Sequence, residues 1–264
     1  MSDTLPSTIA AIAEELPSTH LAAWCRVLRT APGPTPSVEA ELLEARPGYA
    51  MAGTARRLVD AWRRAGATGD AIALALEAAA VVGRDRAAHA STIAVSGPTS
   101  DAVPVRLTSQ VALEVIRDAG DRLLVVSFAA HGVAAIITEL TLAADRGVHV
   151  DLVLETSVAA GGTLAGPDAA RVFRSLADHD RVRFWYWPQE RRPVTGRSRA
   201  ALHAKLIAAD EHTALLGSAN LTDRALDGNL EIGVVLREPA AVRSIVRHFR
   251  ALMRPGTGPL APFP

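Results

Sequence analysis

Between Leu123 and Leu154 the chain carries the pattern that most narrows its fold. Leu123 to Phe128 is an unbroken apolar run of strand length. A helical stretch follows from about Val133 to Asp145 and stops at Gly147, and Val148 to Leu154 is a second unbroken apolar run. Strands that are apolar on both faces must be covered on both faces, and a connection of helix length returns the second strand parallel to the first. The flanking sequence continues the pattern. Ser91 to Ser96 reads as a first strand, Gly97 to Pro104 as a turn-rich connection, and Thr108 caps a helix through Ala119. A helix over Pro167 to Ala177, a strand over Val182 to Trp187 and a last helix beginning at Pro239 follow; the last helix would bury Val242, Ile245, Val246, Phe249 and Leu252. The expected fold class is α/β, an α/β/α sandwich around a mostly parallel mixed sheet, over residues 89–254.

Residues 1–88 lack such strands and read as a small helical region. Ser7 can cap a helix through Leu16, Ser18 a second through Leu28 and Ser37 a third over Val38 to Ala45, while Tyr49 to Ala65 and Asp70 to Val82 supply two more. Residues 255–264 are rich in proline and glycine and are expected to form a flexible tail. The 264 residues are 49% hydrophobic, enough to fill a core of this size. A formal net charge of zero excludes a polycation that coats nucleic acid indiscriminately, yet leaves a local basic groove open. Cys25 is the only cysteine, which excludes an internal disulfide and a cysteine-cluster metal site. The opening residues lack the charged-then-apolar order of a signal peptide, and no apolar run approaches the roughly 20 residues that cross a bilayer. A cytoplasmic protein without a membrane span is expected.

Candidate chemistry is concentrated in Leu202 to Gly233. His203 and Lys205 lie two residues apart in front of Leu206 and Ile207, and strand alternation would point the imidazole and the ammonium to one face. Asp210 opens a turn, Thr213 to Leu216 returns, and Gly217-Ser218-Ala219-Asn220 follows. Asn229 and Glu231 then share one face of a further strand whose other face, Leu230, Ile232 and Val234, is expected in the core. Lys205 is the only lysine among the 28 Lys and Arg residues. Where any cation sufficed, this chain would have used arginine. Lysine is instead a compact point-charge donor without the planar fork, so its use here points to chemistry.

The series His203-x-Lys205-x4-Asp210-x6-Gly217-Ser218-x-Asn220, followed by Asn229-x-Glu231, resembles the HKD signature of the phospholipase D superfamily. The order of strands and helices from about 106 to 253 resembles one half of a phospholipase D fold. A helical N-terminus ahead of a single HKD domain is similar to the phospholipase D-like DrmC family of the bacterial DISARM antiphage system. The resemblance implies a phospholipase D-like fold and a phosphodiesterase that needs no metal and no other cofactor. It implies His203 as a nucleophile that forms a phosphohistidine, and Lys205 as the group that neutralises a nonbridging oxygen. Ser218 and Asn220 would donate to the phosphate, and Glu231 would orient the histidine through its far nitrogen. Asp210 completes the motif, although its turn position suits bonds to backbone donors equally well. Members with two motifs use one histidine as nucleophile and the other as general acid. This chain has eight histidines but one His-x-Lys, so the resemblance implies a homodimer. Should a monomer be active, another residue must be the acid, and His131, just past the strand ending at Phe128, is the first candidate, although a plain strand-end loop residue is the favoured reading of it.

Arg181 to Arg199 interleaves six arginines with Phe184, Trp185, Tyr186 and Trp187. Cations between aromatic faces suit a nucleic-acid strand, through phosphate pairing and base stacking, with Arg191, Arg192, Arg197, Arg199, Trp185 and Trp187 as contacts; the alternative is that two of the aromatics are core residues of a strand and the arginines solvate a long loop. The expected partners are DNA, single-stranded in particular, a second copy of the chain and other defence-system proteins. Asp151 and Glu155 flank a strand and receive no role. Two alternatives remain: a catalytically silent nucleic-acid-binding or accessory subunit, and a phospholipid-hydrolysing enzyme, for which no amphipathic anchor is visible.

Overall fold

The computed structural model describes residues 4–47, 51–98, 105–196 and 198–263. The chain divides into two compact units, residues 1–88 and 89–264. The first holds α1 (Leu5–Glu15), α2 (Ser18–Thr30), α3 (Pro36–Ala45), α4 (Met51–Ala65) and α5 (Gly69–Ala88). Trp24 and Trp62 are fully buried at its centre with Ile12, Leu28, Leu58 and Leu76. The Trp62 indole N–H keeps a partner there by donating to the Ala67 carbonyl at 2.7 Å. Gly69 opens α5 where a Cβ would lie 2.0 Å from the Leu28 carbonyl oxygen, so glycine permits the close packing of α5 on α2. Thr4 rather than Ser7 caps α1, its hydroxyl accepting the Ser7 N–H at 3.4 Å, since Pro6 fits the first turn where no N–H is needed. The expected start of α4 at Tyr49 and residues 99–104 of the connection lie outside the described residues.

The second unit contains, in chain order, β1 (Thr92–Ser96), β2 (Arg106–Leu107), α6 (Thr108–Asp118), β3 (Arg122–Ser127), β4 (Ala130–His131), α7 (Ala134–Asp145), β5 (His149–Leu154) and β6 (Val182–Tyr186). It continues with β7 (Val194–Thr195), β8 (Ser198–Arg199), β9 (Leu206–Ala209), β10 (Thr213–Gly217), β11 (Leu221–Thr222), β12 (Glu231–Leu236), α8 (Pro239–Leu252) and β13 (Ala261–Pro262). Nine strands form one sheet in the order β13-β6-β5-β3-β9-β10-β12-β1-β2. Val125, Leu152, Ile207 and Leu215 lie in one row facing the core that α6 and α7 cover, and Leu124, Ala208 and Ala214 face α8 on the other side. The fold is thus an α/β/α sandwich around a mixed sheet. Among the described residues of this sheet, parallel pairing is confined to β3–β5–β6 and β1–β2, and β4 and β11 form a separate parallel pair. The other ladders of the sheet are antiparallel, because short turns such as the one between β9 and β10 can only reverse the chain.

Several local expectations are corrected. Residues 167–177 form 3-10 turns over Ala169–Leu176, interrupted at Phe173 (φ −96°, ψ 17°), instead of a regular helix; this keeps Phe173 and Leu176 in the core. Residues 255–263 are docked, not a free tail. β13 pairs with the outer edge of β6, Leu260 is buried, and the Phe263 N–H donates to the Phe184 carbonyl at 2.9 Å. The cause is the exposed edge of β6, whose backbone groups need partners. Leu230 and Ile232 are 81% and 62% exposed, not core. The face they share with Ile93 and Leu107 lies on β12, β1 and β2, past β10, the sheet strand against which α8 packs.

Candidate active site

β9 begins at Leu206, so His203 and Lys205 precede the strand rather than sit in it. Leu206 pairs with Val126 and Leu216, which leaves the residues before it at the end of the sheet where β3 and β10 stop and β12 starts. His203 is exposed, with its ring centroid 4.9 Å from that of Phe128. Lys205 Nζ lies 2.9 Å from His203 Nδ1, donates to the His203 carbonyl at 2.8 Å and stands 5.7 Å from the Phe128 centroid. Partial burial pulls the lysine below its ordinary pKa, and the nearby Glu231 charge offsets part of that shift.

Ser218 and Glu231 form the other side of this cluster. The Ser218 hydroxyl donates to one Glu231 oxygen and accepts the Ile232 N–H at 3.2 Å, while the Asn229 amide donates to the other oxygen at 3.3 Å. Gly217 allows this approach, because a Cβ there would come within 2.8 Å of the Ile232 carbonyl oxygen. In the same turn, Asn220 Oδ1 is buried without a partner among the described residues, so the amide retains polar capacity for a ligand. The hydrogen bonds described for Glu231 go to Ser218 and Asn229, and Lys205 occupies Nδ1 of His203. That arrangement differs from the direct histidine–glutamate bond the motif implies.

Asp210 is not gathered with these groups. It lies at the far end of β9 with φ 54°, and its carboxylate accepts the N–H groups of Gly120, Asp121 and Arg122 at 3.0, 2.9 and 2.8 Å. Burial opposes its ionisation, but the three donors outweigh it and hold the carboxyl below the usual range. Asp210 therefore anchors the β9–β10 turn to the start of β3. His131 sits exposed in β4, whose partner is β11.

The arginine-aromatic stretch is mostly structural, a correction to the expected nucleic-acid track. Arg192 is buried, Trp185 lies in the core with its indole on Asp151 at 2.8 Å, and Trp187 is half-buried, 5.5 Å from the Arg192 guanidinium. Arg191 holds the carbonyls of Gly258 and Leu260, and Arg199, though exposed, donates to the Gln189 carbonyl at 3.2 Å. Arg197 lies outside the described residues.

Glu155, assigned no role from sequence, is the partner of Arg192. Both side chains are fully buried, joined at 2.6 and 2.9 Å. Glu155 also accepts the Leu202 N–H at 2.7 Å, and Arg192 donates to the Ala200 carbonyl at 3.1 Å, so the pair grips the segment that leads into His203. Burial alone would raise the Glu155 pKa; Arg192 and the N–H groups of Leu202 and Thr156 lower it further than burial raises it. The one sequence signal was a carboxylate placed directly after a two-sided apolar strand, which must be paired if it stays inside.

Among the described residues no group of three or more His, Cys, Asp or Glu side chains is placed to hold a metal ion. The cavity beneath Lys205, about 30 Å³, has room for about one water, so any larger ligand would reach His203 only from the open surface.

No curated protein sequence matches the chain. Similar solved structures include NucT from Helicobacter pylori, 12% identical with a TM-score of 0.45, the match covering 53% of this chain and 84% of that one. Nuc from Salmonella typhimurium, a phospholipase D family member, is 22% identical with a TM-score of 0.43, covering 61% and 91%. Phosphatidylserine synthase from Haemophilus influenzae Rd KW20 is 13% identical with a TM-score of 0.46, covering 75% and 47%. The sequence family described as cardiolipin synthase, PLD-like domain, matches residues 112–253, which is 142 of the 264 residues and includes every position from His203 to Glu231. The chain belongs to this phospholipase D-like family.

Proposed function

We propose that this protein is a cytoplasmic, metal-independent phosphodiesterase that cleaves nucleic acid as a homodimer, in bacterial antiphage defence of the DISARM kind. The observation that carries the chemistry is the convergence of His203 and Lys205 on Phe128, with Ser218, Asn229 and Glu231 grouped at the same open end of the sheet. Lys205 can only donate, and its ammonium lies 2.9 Å from Nδ1 and 3.4 Å from Nε2 of His203, so at rest it sits against both ring nitrogens. An incoming phosphodiester draws the ammonium to a nonbridging oxygen. The ring proton then resides on Nδ1, for which the motif supplies Glu231 as acceptor once it leaves Ser218 and Asn229, and Nε2 is free to attack phosphorus. The N–P bond forms as the P–O bond to the leaving nucleoside breaks, and the leaving oxygen takes a proton from the partner's His203. Water then attacks the phosphohistidine, gives its proton to that same imidazole and releases a phosphomonoester.

The exposed apolar strip supports the homodimer. Val95 pairs with both Ile232 and Leu107, so the strip runs unbroken across β12, β1 and β2, beside Glu231. A second copy across a two-fold axis would cover it with the same strip and bring a second histidine to the site. The defence role and the substrate class rest on the resemblance of the helical first unit plus single HKD unit to DISARM-type proteins. A silent binding subunit is the second reading, favoured by the fact that Lys205 and Ser218 are already satisfied by His203 and Glu231. A panel of single-stranded DNA, duplex DNA, RNA and phosphatidylcholine in excess EDTA tests all of this. Cleavage of nucleic acid by wild type and none by His203→Ala supports the proposal. Binding without cleavage in every arm selects the silent reading, and cleavage of the lipid alone moves the activity to phospholipids. Sedimentation of an active monomer would remove the homodimer.

A further inference from the structure

A basic trough lies at the end of the sheet opposite His203. A cavity of about 800 Å³ sits between the turns at Ala169–Leu176, the first half of β6 and the docked tail, and is lined by Arg171, Arg174, Arg183, Phe184 and Phe263. A second cavity, of about 600 Å³, shares Arg183 with the first and adds Arg247 and Arg254 from the end of α8. The side chains of Arg171, Arg174, Arg183, Arg247 and Arg254 are exposed and have no hydrogen-bond or ion-pair partner among the described residues. Elsewhere Arg29, Arg57, Arg106 and Arg117 each pair with a glutamate. The two carboxylates in the walls are already engaged, Asp168 with the Ser157 N–H at 2.6 Å and Asp151 with the Trp185 indole at 2.8 Å. Arg122 and Arg250, also in the walls, pair with Asp121 and Glu211.

We infer that this trough is a second, non-catalytic binding site that takes the phosphate backbone of a nucleic-acid strand. Five unpaired guanidiniums spread over two joined cavities exceed what one phosphate can neutralise, so the fitting ligand is a chain of phosphates. Phe184, packed on the core, and Phe263, whose ring meets Tyr186 at 5.4 Å, are half-buried and line the trough beside these cations, and aromatic surface next to guanidiniums suits the bases of a single strand better than a lipid surface. The trough is separate from the active site. Arg122, the first residue of β3, lines it, whereas His203 lies past the pairing of Leu206 with Val126 at the other end of that strand. The six residues of β3 at about 3.3 Å each place the two sites roughly 20 Å apart. The site therefore anchors a strand away from the bond being cut. Only the choice of nucleic acid among polyanions rests on the proposed function.

The test is fluorescence anisotropy of a labelled oligothymidylate against the full chain carrying His203→Ala, with and without Arg171→Ala, Arg174→Ala and Arg183→Ala combined. Affinity should fall by at least about tenfold, and the slope of log K against log salt should shrink by about 2, at roughly 0.7 for each phosphate no longer neutralised. Arg247→Ala with Arg254→Ala should weaken binding through the other cavity. The same trough substitutions on a wild-type His203 background should leave hydrolysis of bis(p-nitrophenyl) phosphate unchanged. Unchanged affinity in both trough variants overturns the inference, as does wild-type binding to phosphatidylglycerol vesicles without binding to the oligonucleotide. Loss of hydrolysis by wild type would defeat the proposed function alone, because the anisotropy does not depend on turnover.

Discussion

β9 has polar motif residues beyond both of its ends, and they meet opposite fates. At the start, His203 is exposed and Lys205 half-buried, each held by the other and by Phe128. At the finish, Asp210 is saturated by three backbone N–H groups from the entry to β3. The spacing between lysine and aspartate is thus a strand length. One end of that strand must stay open to substrate, and the other must fix the turn so that the open end stays in place. Charge at Asp210 serves architecture, while charge at Lys205 stays at the open end beside His203, where the proposed function needs it.

The sharpest way to break this comparison is His203→Ala. Hydrolysis of bis(p-nitrophenyl) phosphate should fall by on the order of 10⁴-fold or more with the melting temperature preserved; a variant that keeps its rate moves the chemistry elsewhere. Glu155→Ala should come next, because it leaves Arg192 buried without a counter-charge and Leu202 without an acceptor. Urea unfolding should report a loss of about 3–5 kcal/mol, with a lower rate from the surviving folded fraction. Asp210→Ala should cost about 2–3 kcal/mol by removing acceptors from three donors, yet leave the rate per folded molecule near wild type. A large rate defect without a stability defect would put Asp210 in the chemistry after all. Since the folded carboxyl titrates below an unfolded one, its stabilisation is complete at neutral pH and fades as pH drops into and through the acidic range, which acid titration of wild type against the variant would show. The mildest effect concerns Lys205. Its depressed pKa means that the rate should decline with rising pH at a point below the ordinary lysine range, and Lys205→Arg should abolish that alkaline limb while lowering the plateau.

The paired strands at Leu123 and Val148 were legible because burial on both faces is written directly in composition, and each lies within a residue of its expected bounds. The motif half was legible as residues but less so as geometry. His203 and Lys205 meet without being in a strand, since what joins them is the end of the pairing of β9, not alternation along it. Arg192 shows the limit most plainly. An arginine among arginines looks like a solvated or ligand-facing group until its partner, 37 residues away in sequence, is brought against it. Free arginines such as Arg171 and Arg174 carried no motif, and only the shared trough joins them to Arg183 of the arginine-aromatic stretch.

By itself the sequence determined the α/β class, the family and the candidate residues of the site, because these depend on local periodicity and on a motif of fixed spacing. Tertiary structure decided which polar groups face substrate and which hold the frame. That choice turns on partners distant along the chain: backbone donors at β3 for Asp210, a buried carboxylate at β5 for Arg192, and a vacant edge of β6 for the residues after α8. A charged side chain takes its role from what satisfies it, and satisfaction is a property of the folded neighbourhood.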